Sequence, residues 1–136
     1  LSLPFAPFSP SIDGATVAAN LLAGSIALAK KNNAAAIEHF SKAVATEEQM
    51  VYNEPRDWLL NPKHYLGNAY LQMKEWKKAE EVLLNDLKNN NNNIWAMSGL
   101  HTTYKMQGKM KEATALQQQI KKASTNADVK ITAPVL

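Results

Sequence analysis

Apolar residues recur along most of this chain at spacings of three and four, which is the pattern of amphipathic helices. Between residues 34 and 49, for example, Ile37, Phe40 and Val44 fall on one helical face. The same periodicity predicts six helices, and we therefore expect an all-α fold. The predicted helices span about 10–30, 34–49, 62–73, 75–88, 94–107 and 109–124.

Residue types that begin and end helices support these limits. Ser9 and Asn61, each followed by a proline, are typical of an N-cap and a first helical position. Consecutive asparagines at 89–93 form a predicted turn, in which Asn93 is the expected cap of the next helix. Gly108 is a helix-stop residue, and it separates the last two predicted helices.

The C-terminal half of the chain matches itself when it is shifted by 34 residues. A fixed period of this length indicates two copies of one helical hairpin. An earlier and less regular copy is offset by 43 residues, so nine extra residues at about 51–59 separate it from the second copy. The matching pairs are Leu66 with Leu100, Tyr70 with Tyr104 and Ala79 with Ala113 at the shorter offset, and Ala36 with Ala79 at the longer one.

The second copy carries a resemblance to a known family. Leu66, Gly67, Tyr70 and Ala79 match in place the leucine, glycine, tyrosine and alanine of tetratricopeptide repeats. The sequence therefore resembles the tetratricopeptide repeat family. This resemblance implies a right-handed superhelical stack of three helical hairpins within a domain at about 10–124. The predicted repeats are at about 10–49, 61–93 and 94–124.

Both ends of the chain differ in composition from the predicted repeats. Residues 1–9 are rich in proline and phenylalanine and predict an extended arm. Residues 125–136 are polar and then extended, and we expect a loose tail there. The first predicted helix is rich in alanine and leucine. Either upstream repeats in a longer parent chain or the N-terminal arm covers its apolar face.

The insertion at about 51–59 reads VYNEPRDWL. Its Tyr-x-Glu-Pro-x-x-Trp run resembles a segment in the C-terminal part of a family of large bacterial proteins that contain tetratricopeptide repeats. Two interpretations are open. In one, Tyr52 and Trp58 fill the gap between repeats. In the other, Tyr52, Glu54 and Trp58 form the lip of a binding groove.

Repeats of this family usually bind an extended or helical peptide in a concave groove lined by the first helix of each pair. Leu21, Ser25 and Gly99 stand where the carboxylate-clamp members have basic residues and asparagine, so we expect no clamped C-terminal carboxylate. The groove positions that the resemblance implies are His64, Asn68, Leu71 and Gln72 in the second repeat, and Trp95, Ser98, Thr102 and Lys105 in the third.

Composition narrows the classes of partner. The net charge is +3 and only Arg56 is an arginine, the residue that makes most bidentate contacts to phosphate and guanine, so we expect no nucleic-acid partner. No uninterrupted apolar run approaches the roughly 18 residues of a membrane span, and we predict none. The sequence contains no cysteine and no targeting signal, and it leaves the compartment open.

The sequence contains no motif typical of an enzyme. His39, His64 and His101 stand on different predicted helices, without an HExxH pair or a nucleophile-elbow motif. We predict no catalytic residue, no metal site and no cofactor. The predicted function is a non-enzymatic module that binds a protein or peptide in the concave groove. The alternative is a structural C-terminal end-domain of a larger enzyme or secreted assembly, with no independent ligand.

Overall fold

A computed structural model describes residues 9–51 and 58–135. This part of the chain contains six α-helices and no strand, which confirms the prediction of an all-α chain. Each helix begins and ends within one residue of its predicted limits. The helices are α1 (Ser11–Ala29), α2 (Asn33–Gln49), α3 (Pro62–Gln72), α4 (Trp76–Asn89), α5 (Ile94–Met106) and α6 (Met110–Ala123). The extended arm predicted at 1–9 lies almost entirely outside the described residues.

The chain divides into two compact units, Leu1–Pro62 and Lys63–Leu136. In the first unit α1 and α2 pack together as a helical hairpin. Gly24 of α1 makes this contact close, because a Cβ at this position would lie 2.5 Å from the ring of Phe40 in α2. Phe40 is 1% exposed and forms the centre of the hairpin core.

The second unit repeats this arrangement with different side chains. A Cβ at Gly67 of α3 would lie 2.8 Å from the side chain of Leu83 in α4, and one at Gly99 of α5 would lie 2.9 Å from the same leucine. Leu83 is fully buried, so α3 and α5 both flank one core side chain. Its neighbours in the core are Ala96, Met97, Leu100 and Leu116.

The turns inside the hairpins follow the same repeat. Lys31 and Lys74 both have a left-handed backbone with φ of 60°, and Gly108 has φ of 74°. Lys31 and Lys74 are related by the longer offset found in the sequence, and Lys74 and Gly108 by the shorter one. A left-handed residue ends many helices because it exposes the last carbonyl groups to new donors. The offsets that relate the apolar positions therefore also relate the turns.

The predicted helix caps have different outcomes. Asn93 caps α5 as predicted, since its side chain accepts a hydrogen bond from the N–H of Ala96 at 3.1 Å. The prediction for Ser9 is wrong: α1 begins at Ser11 and has no side-chain cap. The Ser9 hydroxyl instead accepts the N–H of Val51 at 2.7 Å, and this bond joins the start of α1 to the end of α2.

Helix α1 has an apolar face that is exposed to solvent. Ile12, Leu22 and Ile26 on this face are 68%, 64% and 47% exposed. Among the described residues α1 is also long and apolar enough, by length and composition alone, to cross a membrane. The prediction of no membrane span is therefore qualified at this helix, although core helices of soluble proteins and signal sequences have the same length and composition.

Candidate functional site

The predicted groove residues of the second repeat lie on α3, but they differ in exposure. His64 is buried at 7% exposure, Asn68 and Leu71 are half-buried, and Gln72 is exposed. Spacings of four, seven and eight residues place the other three near His64 on one helical face. Three of the four predicted positions on this helix are thus at least partly open to a ligand.

His64 contacts α4 instead of facing solvent. Its Nε2 lies 3.0 Å from Oδ2 of Asp86, which is fully buried. The side chain of Asn90 donates a hydrogen bond to the other oxygen of this carboxylate. A histidine and a carboxylate are two members of a catalytic triad, but this pair is closed off from solvent. Its geometry is suited to holding α3 against α4, so we reinterpret His64 as a structural residue.

The predicted groove residues of the third repeat lie on α5. Trp95 is half-buried, while Thr102 and Lys105 are exposed. Ser98 is only 5% exposed, and its hydroxyl donates a hydrogen bond to the backbone carbonyl of Ile131 at 3.2 Å. The acceptor belongs to the C-terminal segment of this same chain. One predicted groove position is therefore already in contact with a non-helical piece of polypeptide.

The end of the C-terminal segment is packed, which corrects the prediction of a loose tail. Residues 125–130 are exposed or nearly so, but Ile131 is half-buried and Pro134 is buried. A Cβ at Gly99 would lie 3.0 Å from Cγ of Pro134, so the proline ring rests directly on the backbone of α5. The tail packs because its last residues are apolar and Gly99 leaves space for them.

A cleft separates the exposed part of the tail from α6. Its volume is about 730 Å³. Residues 127–131 line one side of the cleft, so this part of the tail stands away from α6 before the chain reaches α5. The cleft is lined both by apolar side chains, among them Ile94, Ile120, Val129 and Ile131, and by polar ones, among them Thr114, Gln117, Gln118, Lys121, Asp128 and Lys130.

The insertion at about 51–59 is described only in part. Tyr52 and Glu54 lie outside the described residues. Trp58 is half-buried, and its indole Nε1 is buried without a hydrogen-bond partner in the part of the chain that the structure describes. The groove-lip interpretation of these three residues therefore stays a prediction.

A polar cluster that the sequence does not predict joins α4 to the turn between α5 and α6. Lys109 Nζ lies 2.6 Å and 2.7 Å from the two carboxylate oxygens of Glu80, and the Gln107 amide donates to Glu80 at 2.6 Å. Burial raises the pKa of the Glu80 carboxyl, but the bonds from Lys109 and Gln107 and the Lys109 charge outweigh it, and the net pKa is lowered. Lys109 also lies 5.5 Å from the ring centre of Tyr104.

The side chains of this surface are suited to noncovalent contacts. Within residues 9–51 and 58–135, no group of three or more histidine, aspartate or glutamate side chains is placed to hold a metal ion. The α3 and α5 side chains supply hydroxyl, amide and apolar groups, which suit hydrogen bonds to a peptide backbone and contacts with apolar side chains.

The described fold is that of a helical-repeat protein, built from short helical hairpins whose matching positions recur at offsets of 34 and 43 residues. No family model matches the sequence, and no curated protein matches it. Among solved structures, the fold is similar to that of the MamA protein, which is tetratricopeptide-like, with a TM-score of 0.66 and 20% sequence identity. The match covers 89% of this chain and 63% of the MamA chain. At this identity the similarity concerns the fold alone.

Proposed function

We propose that this chain is a non-enzymatic protein–protein interaction module, which binds an extended peptide or protein segment on the surface formed by α3 and α5. Helical-repeat folds similar to that of MamA suggest such a role in general terms. The observation that carries the proposal is the contact between Ser98 and the backbone of Ile131. An α5 position predicted for peptide binding here contacts a peptide backbone.

The chemistry of the surface supports the same proposal. Asn68 and Thr102 can exchange hydrogen bonds with a peptide backbone, whose N–H and C=O groups need partners when they leave water. Trp95 is half-buried, so part of its indole is available for an apolar contact. Aromatic residues of this kind are frequent anchors of protein interfaces. The resemblance to tetratricopeptide repeats assigns all three side chains to the concave groove.

The exposed face of α1 favours the alternative function, a structural end-domain of a larger enzyme or secreted assembly. Contiguous apolar surface on a folded protein commonly marks a contact with another protein or another part of the same one. Leu22 and Ile26 would then be covered by the parent chain. In this case α1 would contact the parent chain, and α3 and α5 would bind no independent ligand.

The test is capture of binding proteins with the tagged chain, followed by affinity measurements on the partner that is identified. We expect Asn68→Ala and Trp95→Ala each to weaken binding by at least about 1 kcal/mol, with helical content unchanged. Lys121→Ala, at an exposed position of α6, serves as the control. Equal losses from all three variants, or a loss from the control alone, would place the binding surface elsewhere. A loss from Leu22→Ser alone would favour the end-domain alternative.

A further inference from the structure

We propose that residues 131–135 are an internal ligand of α5, and that the surface around Ser98 and Gly99 recognises a non-helical segment in which a free backbone carbonyl lies three residues before a proline. The tail supplies this segment in cis, and a binding partner would supply it in trans by displacing the tail. The proposal rests on the proposed function, since it names the kind of segment that the α5 surface accepts. We call this surface, made by Ser98, Gly99 and the adjoining side chain of Leu83, the α5 site.

The polar half of the α5 site is the hydroxyl of Ser98. It is directed at the Ile131 carbonyl at 3.2 Å, and the serine is 5% exposed. Any segment that covers this hydroxyl must supply an acceptor in place of the water that it excludes, because a buried hydroxyl without a partner is unfavourable. The site is therefore most stable when a backbone carbonyl occupies it. This requirement selects a non-helical segment, because the carbonyl groups inside a helix are already hydrogen-bonded.

The apolar half of the site is the space above Gly99. Cγ and Cβ of Pro134 would lie 3.0 Å and 3.1 Å from a Cβ at position 99, so any side chain other than hydrogen would push the proline away. Proline suits such a position because it has no N–H that would lose a partner on burial, and its ring restricts the backbone before binding. The backbone carbonyl of Ile131 and the ring of Pro134 thus provide the two contacts that define the recognised segment.

The way the tail reaches the α5 site makes it displaceable. Residues 125–130 are exposed, and the cleft of about 730 Å³ lies between them and α6. The bound residues form no regular helix or strand. Release of the tail therefore breaks the contacts of residues 131–135 but none of those between helices, as is typical of segments that open locally. A short flexible tether gives the tail a local concentration in the millimolar range, so it competes with any segment that arrives in trans.

The experiment uses a fluorescent peptide with the sequence of residues 127–136 and two forms of the full chain. The first form is the natural sequence. The second is a released variant, in which Ile131→Asp and Pro134→Asp detach the tail. We expect the peptide to bind the released variant at least about tenfold more tightly than the natural chain, because the tail no longer competes. A peptide that carries the same two substitutions is the matched control and should not bind.

Two substitutions in the released variant locate the binding surface. Ser98→Ala removes the hydroxyl without adding bulk, and we expect it to weaken peptide binding about fivefold. Gly99→Ala should weaken binding further, but its Cβ also approaches Leu83, so helical content is compared by circular dichroism. If the peptide fails to bind a released variant that has kept its helical content, or if Ser98→Ala leaves binding unchanged, the inference is wrong.

The inference and the proposed function fail in different experiments. A captured partner whose affinity falls in Asn68→Ala and Trp95→Ala, but is equal for the natural chain and the released variant, would overturn the internal-ligand inference and leave the proposed function standing. If the peptide binds the released variant but the affinity of the captured partner is unchanged by Asn68→Ala and Trp95→Ala, the proposed function is overturned and the internal-ligand inference stands. An affinity for the partner that rises in the released variant supports both.

Discussion

Single small residues determine how closely the paired helices approach. Gly24 lies against Phe40 in the first unit, and Gly67 lies against Leu83 in the second, with the same sequence separation in each pair. In both cases a Cβ would lie closer than 3 Å to the partner side chain. The large residue of each pair is fully buried or nearly so, and it has little space to move aside.

We expect Gly24→Ala and Gly67→Ala each to destabilise the fold by about 1–3 kcal/mol, because the added methyl group overpacks a filled core. The loss should be greater for Gly24→Ala, since the Phe40 ring is more rigid than the Leu83 side chain. Urea unfolding measures both. Gly14 of α1 provides the matched control, because no atom lies within 4 Å of a Cβ there.

Gly14→Ala should stabilise the protein by up to about 1 kcal/mol, through the helix propensity of alanine and the lower entropy of the unfolded chain. If all three alanine variants unfolded at the same urea concentration as the natural chain, the close approach of the helices at Gly24 and Gly67 would be refuted.

At the scale of the elements, polar side chains connect different helices to one another. His64 and Asp86 link α3 to α4, whereas Glu80 of α4 binds Lys109 next to the start of α6. The two links differ in their surroundings. The first is closed to solvent, while the Glu80 side chain is 17% exposed and that of Lys109 is 38% exposed. The second link is therefore in contact with solvent.

We expect the link through Glu80 to be lost in acid. Its folded pKa lies below the ordinary value of 4.5, so the ionised carboxyl stabilises the fold at higher pH, and this contribution disappears as pH falls through the folded pKa. Glu80→Gln should therefore melt at a lower temperature than the natural chain at pH 7. The melting temperatures of the two proteins should converge as the solution becomes more acidic.

Glu38→Gln in α2 is the control for this pH series. Glu38 also has a lowered pKa, caused by its hydrogen bond to Lys42 and by the charge of that lysine, but both side chains are more than half exposed. Exposed ion pairs contribute little to stability, so we expect a smaller effect. Parallel melting curves for Glu80→Gln and the natural chain at every pH would show that the Glu80 link does not stabilise the fold.

For the whole molecule, the sequence predicts those features that depend on neighbouring residues. The helix limits follow from apolar spacing, from Asn93 as a cap and from Gly108 as a stop, all of which act within a few residues. The repeat offsets further predict that Ala36, Ala79 and Ala113 are equivalent, and all three are buried. The all-α chain and its hairpins could therefore be predicted without coordinates.

The contacts that the sequence does not predict join residues that are far apart in the chain. Nothing near Glu80 or Lys109 indicates that the two side chains will meet, because their separation in sequence is unrelated to the repeat offset. Ser98 was placed on the predicted groove by the family resemblance, but its acceptor in the tail depends on the path of residues 125–130. The exposure of candidate site residues was likewise not predictable, as the burial of His64 against Asp86 illustrates.

The return of the tail to α5 has a consequence for how the protein opens. A helix that packs against a neighbour on one side only is expected to fray first, and α6 packs against α5. Here the chain that leaves α6 is attached to α5 through Ser98 and Gly99, so α6 is restrained at both of its ends.

We expect the amides of α6 to exchange with solvent deuterium together with those of α5. In the released variant α6 should exchange faster while α4 is unchanged, whereas equal exchange rates in the two proteins would show that the tail does not restrain the helix. The final hairpin would then open as one cooperative unit for as long as the tail is bound, and helix by helix once the tail is displaced.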